Sequence, residues 1–217
     1  MKIFDITRGL LEAPVYPGDQ APEIAEVPDT KGYRLSQVSA SSHAGTHADA
    51  FSHFLADGLT IDAMPLENYC GPCRVLTVPA EELIKREDLQ GRLGGAERLV
   101  LHSGGKSFLC EEAAEYIASC GIRALVTDSV SVGPLDNEAA IHSILMNSGV
   151  AIIENAALDQ VPDGDYLLFA FPIKYGGCDG APVRAVLLRE GENPVEPAEE
   201  VFSNPAPAAL DNPDPAV

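Results

Sequence analysis

Two successions of helix, glycine and strand restrict the fold of this chain more than any other feature. Glu111 to Cys120 carries Ala113, Ala114, Ile117 and Ala118 at helical spacing, with acidic residues in its first turn and Gly121 placed to end it. Ile122 to Thr127 follows as a strand. Asp136 can then cap a segment with Ile141, Ile144 and Leu145 on one stripe, Gly149 can close it, and Val150 to Ile153 follows as the next strand. Before them, Arg74–Val78 and Arg98–His102, aliphatic or β-branched and flanked by Gly or Pro, read as buried strands. The order strand, helix, strand, helix, strand predicts an α/β fold.

The rest of the chain frames this core. Lys2 to Ile6 alternates as a first strand, and Pro14 to Pro28 holds the turn punctuation of a long loop. Two further strands are predicted at Tyr166–Phe171 and Val183–Leu188, separated by the glycine-rich run Lys174–Gly180. One domain is expected over residues 1–190. Beyond Glu190, six of the seventeen prolines fall within 27 residues, among Glu, Asp, Ala and Asn. Such a composition does not repay its own ordering entropy, so residues 191–217 are expected to form a disordered tail or one packed on a neighbouring subunit.

With 217 residues, 46% of them apolar, the chain can bury a single core. It sets 14 Lys plus Arg against 33 Asp plus Glu, and the net charge of −19 disfavours nucleic acid and anionic membrane surfaces as partners. Met1 to Ile6 lacks the charged and apolar regions of an export signal, and no run approaches the roughly 20 apolar residues of a membrane span. Five scattered cysteines, an odd number, fit a reducing compartment. A soluble, cytoplasmic protein is expected.

The chemistry concentrates in Ser42–Phe54, which holds three of the five histidines. His43, His47, Asp49 and His53 are all odd-numbered, so an extended backbone would aim the four toward one side. One straight helix would not, because Asp49 falls about 200° beyond His47 at about 3.6 residues per turn. A strand-and-loop segment is therefore predicted here. Imidazoles joined by one carboxylate suit Zn²⁺, Mn²⁺ or Fe²⁺, and the donor set by itself does not choose among them. Further along, His142 falls on the second predicted helix and Glu154 follows the strand after it. On residue type alone, a core histidine and a solvated strand end are the ordinary readings of those two.

The pattern His43-x-Gly45-Thr46-His47-x-Asp49-x-x-x-His53-Phe54 resembles the signature of the cyclase family of metal-dependent hydrolases, which includes bacterial kynurenine formamidases and isatin hydrolases. Asp5-Ile6-Thr7, Val15-Tyr16-Pro17-Gly18-Asp19, Thr127-Asp128-Ser129 and Asp179-Gly180-Ala181-Pro182-Val183-Arg184 are similar to the family's other recurrent segments. The resemblance implies a single domain with a mixed β-sheet, of the swivelling β/β/α type, assembled as a homodimer or homotetramer. It implies that His43, His47 and Asp49 bind one divalent metal ion, that Asp49, His142 and Glu154 hold a second, and that His53 shuttles protons. Zinc is the first expectation and manganese the alternative. The implied reaction is attack of a metal-activated water on an amide carbonyl, with His53 as base and then acid, most like hydrolysis of N-formylkynurenine. Two positions depart from the pattern. Tyr16 stands where formamidases place Trp, as a substrate wall, and Phe51 stands where many members carry Pro. An isatin-type cyclic amide or lactone hydrolase is the alternative enzyme, and a metal- or ligand-binding protein without turnover the alternative class.

Other motifs are set aside. Cys70-Gly71-Pro72-Cys73 spells a thiol redox tetrapeptide, but redox sites of that kind open a helix, whereas Arg74–Val78 reads as a strand. Gly105-Lys106-Ser107 ends like a phosphate loop, yet the leading glycine would fall on Val100. No G-x-S-x-G elbow supplies a serine nucleophile, and His102 beside Ser103 reads as a strand-end contact. Lys106, Lys174 and Arg184 are candidates to engage a substrate carboxylate, though on so acidic a chain most basic residues pair with neighbouring acids.

Overall fold

A computed structural model describes residues 1–28, 31–81 and 83–189. The expected tail, 191–217, lies outside the described residues. In chain order the elements are β1 (Lys2–Asp5), β2 (Glu23–Glu26), β3 (Ser36–Ser39), β4 (His47–Asp49), β5 (Cys70–Thr77), β6 (Leu83–Ile84), α1 (Arg86–Leu89) and β7 (Arg98–His102). They continue with β8 (Phe108–Leu109), α2 (Glu111–Ser119), β9 (Ala124–Thr127), α3 (Glu138–Asn147), β10 (Ala151–Glu154), β11 (Gly164–Phe169), β12 (Gly180–Pro182) and β13 (Val186–Arg189).

Nine strands form one sheet in the order β1-β13-β11-β5-β7-β9-β10-β4-β12. Its centre, β5-β7-β9-β10, is parallel, and both flanks are antiparallel. This is the mixed-sheet α/β domain expected. The central strands are mostly apolar because both of their faces are covered. Leu99, Leu101, Leu125 and Ile152 pack with Ala113 and Ile117 of α2 and Ile141 and Leu145 of α3. The alternate residues Val100, Val126 and Ile153 pack with Ile6, Tyr69 and Leu168 on the other face. Gly121 and Gly149 end the two helices at φ 74° and 79°, as their positions predicted.

Four sequence expectations are corrected. The Pro14–Pro28 loop contains β2, which pairs with β3 as a separate two-stranded hairpin; four residues carry too few alternations to announce a strand. The cap position of α3 is Asn137 rather than Asp136. The segment Val183–Leu188 is not one strand, because the chain leaves β12 at one end of the sheet and begins β13 near the other. Three residues make that crossing, a reach of at most about 14 Å, so the sheet is curled until its two ends approach. Thr7 bridges Ala156, and Ala157 N–H donates to Ile6 O at 2.9 Å, across the gap. Finally, only His47–Asp49 of the histidine segment is extended. His43 sits in a turn before β4, and His53 ends a short 3₁₀ helix, Phe51–His53. No helix among the described residues is long and apolar enough to cross a membrane.

Candidate metal centre and its pocket

Strand β4 delivers two donors to one side and an apolar residue to the other. His47 and Asp49 face the site, whereas Ala48 between them packs in the core. The register with β10 sets Glu154 opposite His47 and Ile152 opposite Asp49, so Glu154 emerges on the same face as the β4 pair. Helix α3 brings His142 over them, and the turn before β4 brings His43. Gly180 of β12 lies opposite Asp49. A Cβ there would stand 2.8 Å from His43 Cε1 and 3.0 Å from Ala48 O, so only glycine lets the His43 ring come this close.

These side chains converge on Asp49. Its Oδ1 is 3.0 Å from His43 Nδ1 and 3.4 Å from His47 Nε2, and its Oδ2 is 3.4 Å from His142 Nε2. Glu154 reaches the same two rings, with Oε2 3.5 Å from His47 Nε2 and Oε1 3.3 Å from His142 Nε2. The backbone N–H of Val132 donates to Glu154 Oε1 at 2.8 Å and fixes that carboxylate. Two donor groups result, His43–His47–Asp49 and Asp49–His142–Glu154, each with its ligand atoms within 4.8 Å of one another. Asp49 belongs to both.

The residues fit a divalent cation on chemical grounds. His47 Nδ1 lies 2.9 Å from Gly45 O and His142 Nδ1 lies 2.9 Å from Glu138 O. A carbonyl oxygen only accepts, so each Nδ1 carries the hydrogen and each Nε2 turns its lone pair toward the carboxylates. Lone pairs facing anions in a site where His47, Asp49 and His142 are 2% exposed or less require positive charge between them. Asp49 Oδ2 is buried with no hydrogen-bond donor. In the polypeptide alone that charge comes from protons. Burial alone would lower the two imidazoles, but Asp49 and Glu154 raise His47 to about 10 and His142 to about 11.

His53 stands at the open side of the cluster, its ring stacked on His43 at 4.1 Å. Its Nδ1 lies 3.3 Å from Asp179 Oδ2, and the same oxygen is 3.1 Å from His43 Nε2. Ser42 Oγ donates to Asp179 Oδ1 at 2.8 Å. Burial opposes ionisation of Asp179, yet the Ser42 and His43 hydrogen bonds hold it at about 2. His53 is lowered too, but toward its neutral form: burial, with the neighbouring His43 and His142, holds it below 6.5 despite the pull of Asp49.

A cavity of about 190 Å³ opens beside these groups, lined also by Tyr16, Asp19, Phe54, Glu138 and Asn155. Tyr16 donates its hydroxyl to Glu138 Oε2 at 2.6 Å, and Ser131 Oγ donates to Glu138 Oε1 at 2.6 Å. Phe54 stacks on His142 at 4.3 Å. All seven predicted site residues, Tyr16, His43, His47, Asp49, His53, His142 and Glu154, therefore meet in one place, although through a strand flanked by turns rather than one extended run. Asp179, named in the sequence only within a segment of family resemblance, and Glu138 join them without having been site candidates. Asp179 sits in a glycine-rich turn 126 residues from His53, and Glu138 looks like an ordinary acidic residue in the first turn of a helix, so neither carries a spacing signal.

The candidates for a substrate carboxylate lie elsewhere. Lys106 pairs with Glu81 at 2.7 Å, Arg184 pairs with Asp5, and among the described residues no Lys or Arg lines the cavity. The redox tetrapeptide is part of β5, where burial pushes the Cys73 thiol up to about 12. Its backbone is paired with β11, which leaves no helix N-terminus to stabilise a thiolate.

Comparison with known proteins agrees with this geometry. Residues 4–134 match the family described as "Putative cyclase". The kynurenine formamidase of Bacillus cytotoxicus is 38% identical over 192 residues, covering 81% of this chain and 91% of that protein. A solved structure described as a potential metal-dependent hydrolase with cyclase activity superposes with TM-score 0.78 at 27% identity, covering 88% of this chain and 99% of the other. An isatin hydrolase bound to the product analogue thioisatinate shares the fold, with TM-score 0.74 at 19% identity over 88% of this chain and 93% of the other.

Proposed function

The chain belongs to the cyclase family, and on that premise we propose that it is a metal-dependent amidohydrolase that cleaves the C–N bond of a linear aryl formamide, with N-formylkynurenine as substrate. The observation that carries this reading is the placement of Asp49 between two donor groups with the His53–Asp179 pair on their open side.

His43, His47 and Asp49 would hold one divalent ion, and Asp49, His142 and Glu154 a second. The shared carboxylate offsets the repulsion between two cations. Zinc suits this nitrogen and oxygen set, and manganese is the second choice. The metal supplies Lewis-acid polarisation of the carbonyl and a water acidified to near neutral pH.

The protein's own groups do the rest. His53 is neutral at pH 7 and can take the proton of the attacking water, while Asp179 fixes the ring and stabilises the imidazolium that forms. His53 then returns the proton to the leaving nitrogen, because an aromatic amide nitrogen departs as the amine. Water and formamide give formic acid, which leaves as formate with its proton passing to solvent, and the aromatic amine, and the histidine ends as it began. Tyr16, held by Glu138, forms a wall over the substrate ring, and Phe54, stacked on His142, lines the same pocket.

A cytoplasmic location and a homodimer or homotetramer belong to the same reading. The five cysteines form no disulfide, which suits a reducing compartment. The β2–β3 hairpin exposes Ile24 directly opposite Val38, at 48% and 57%, and a two-stranded hairpin with an uncovered apolar pair is marginal alone; a second subunit would cover it.

The test is elemental analysis of protein purified without chelator or metal-affinity resin, joined to hydrolysis of N-formylkynurenine before and after chelation. About two equivalents of metal with chelator-sensitive turnover is the expected result. Metal with no turnover of N-formylkynurenine but hydrolysis of isatin would move the activity to cyclic amides, and absence of metal after replenishment would overturn the reading.

A further inference from the structure

Asn155 follows Glu154 directly, and both line the catalytic cavity. In a continued strand they would face opposite sides of the sheet. Instead Asn155 takes φ +59°, in the left-handed region, which breaks the alternation at the end of β10 and lets two consecutive side chains serve one pocket. Asparagine enters that region more readily than most side chains, and non-glycine residues held there gather at functional sites. The surroundings enforce it. The Asn155 N–H donates to Ser129 O at 3.0 Å, and its carbonyl accepts from Thr46 Oγ1 at 2.7 Å, tying the end of β10 to the residue just before His47.

The side chain held in this way has nothing to bind. Asn155 is 3% exposed, and its Oδ1 is buried with no hydrogen-bond partner. Among the described residues no hydrogen bond engages the carboxamide at either end. Oδ1 is the enclosed end of the amide, and Nδ2, a donor with no partner among the described residues, is the end left for an acceptor that arrives with the substrate.

Resting on the function proposed above, we propose that Asn155 is a catalytic residue whose carboxamide hydrogen-bonds the carbonyl under attack. Nδ2 donates to the carbonyl oxygen, and the bond strengthens as negative charge gathers there. Asn155 makes and breaks no covalent bond. The amide suits the place better than a carboxylate, since aspartate would offer no donor and would add a third buried negative charge beside Asp49 and Glu154.

Two variants test this. Asn155→Gly tolerates the left-handed backbone and deletes only the carboxamide, while Asn155→Asp keeps the size and deletes the donor. Metal content, thermal midpoint, kcat and KM are measured with N-formylkynurenine. The expected result is wild-type metal content and a cooperative melt in Asn155→Gly, with kcat lower by about 10²–10³-fold in both variants and KM within a few-fold of wild type. A kcat within about threefold of wild type in either variant would overturn the proposal. Loss of metal or of the cooperative melt in Asn155→Gly would overturn it too, by making the residue structural. If the wild-type enzyme spares N-formylkynurenine and hydrolyses isatin, the substrate assignment has failed and the variants are judged by the same criteria on isatin. If it hydrolyses neither, both proposals fall.

Discussion

Asp179 Oδ2 stands 3.3 Å from His53 Nδ1, across 126 residues of chain. The same oxygen also meets His43, which meets Asp49, so the proton-handling histidine and the metal-facing cluster share one line of carboxylates and imidazoles. Comparing the loss of one end with the loss of the other is expected to separate turnover from metal binding. His53→Ala should keep its metal and lose about 10²–10⁴ in kcat, whereas Asp49→Ala should lose both. Asp179→Ala, which leaves His53 present but unoriented, should cost about 10–100-fold. Elemental analysis beside kcat checks all three, and full activity in His53→Ala would sink the mechanism.

Burial holds the His53 imidazole below 6.5. The neutral base is then the main form from mildly acidic pH upward, so kcat/KM should rise along an acid limb centred below 6.5. An acid limb centred above pH 7 would contradict this assignment.

Tyr16 is fixed by its 2.6 Å bond to Glu138 and is raised to about 12 by burial and by that carboxylate. It stays protonated through the working range. Tyr16→Phe should loosen the wall over the substrate ring, raising KM roughly tenfold with little change in kcat. A kcat loss as large as that of His53→Ala would place Tyr16 in the chemistry instead.

Removal of metal should make stability depend on alkaline pH. In the metal-free protein His47 and His142 titrate near 10 and 11 against 6.5 when unfolded, so between those values the folded state holds the extra protons. Their contribution is complete below pH 6.5 and is lost as pH rises through about 10. Thermal midpoints of chelated protein should fall across that window, and midpoints of metal-loaded protein should fall less. A flat profile after chelation would count against the buried charge cluster.

Gly180→Ala places a methyl group 2.8 Å from His43 Cε1. The ring must move, and the backbone oxygen of Ala48 blocks the other way out at 3.0 Å. A stability loss of about 1–3 kcal/mol with weakened metal retention is expected, read by denaturant unfolding and by elemental analysis after dialysis.

The sequence by itself determined what depends on near neighbours. Helix stripes, the glycines at 121 and 149 and the apolar strands after them are set by contacts within a few residues, and those elements stand where their spacing put them. The grouping of His43, His47, Asp49 and His53 was legible for the same reason, and only its backbone differed, because a turn and a 3₁₀ helix can converge side chains as well as a strand can. His142 and Glu154 became ligand candidates through family resemblance alone. Only the tertiary structure decided the curl that sends β12 and β13 to opposite ends of one sheet, and the register that sets Glu154 across from His47. The same holds for Asp179, Glu138 and Asn155: their partners lie up to 136 residues away, and strand order and long-range closure, which no local spacing encodes, bring them together.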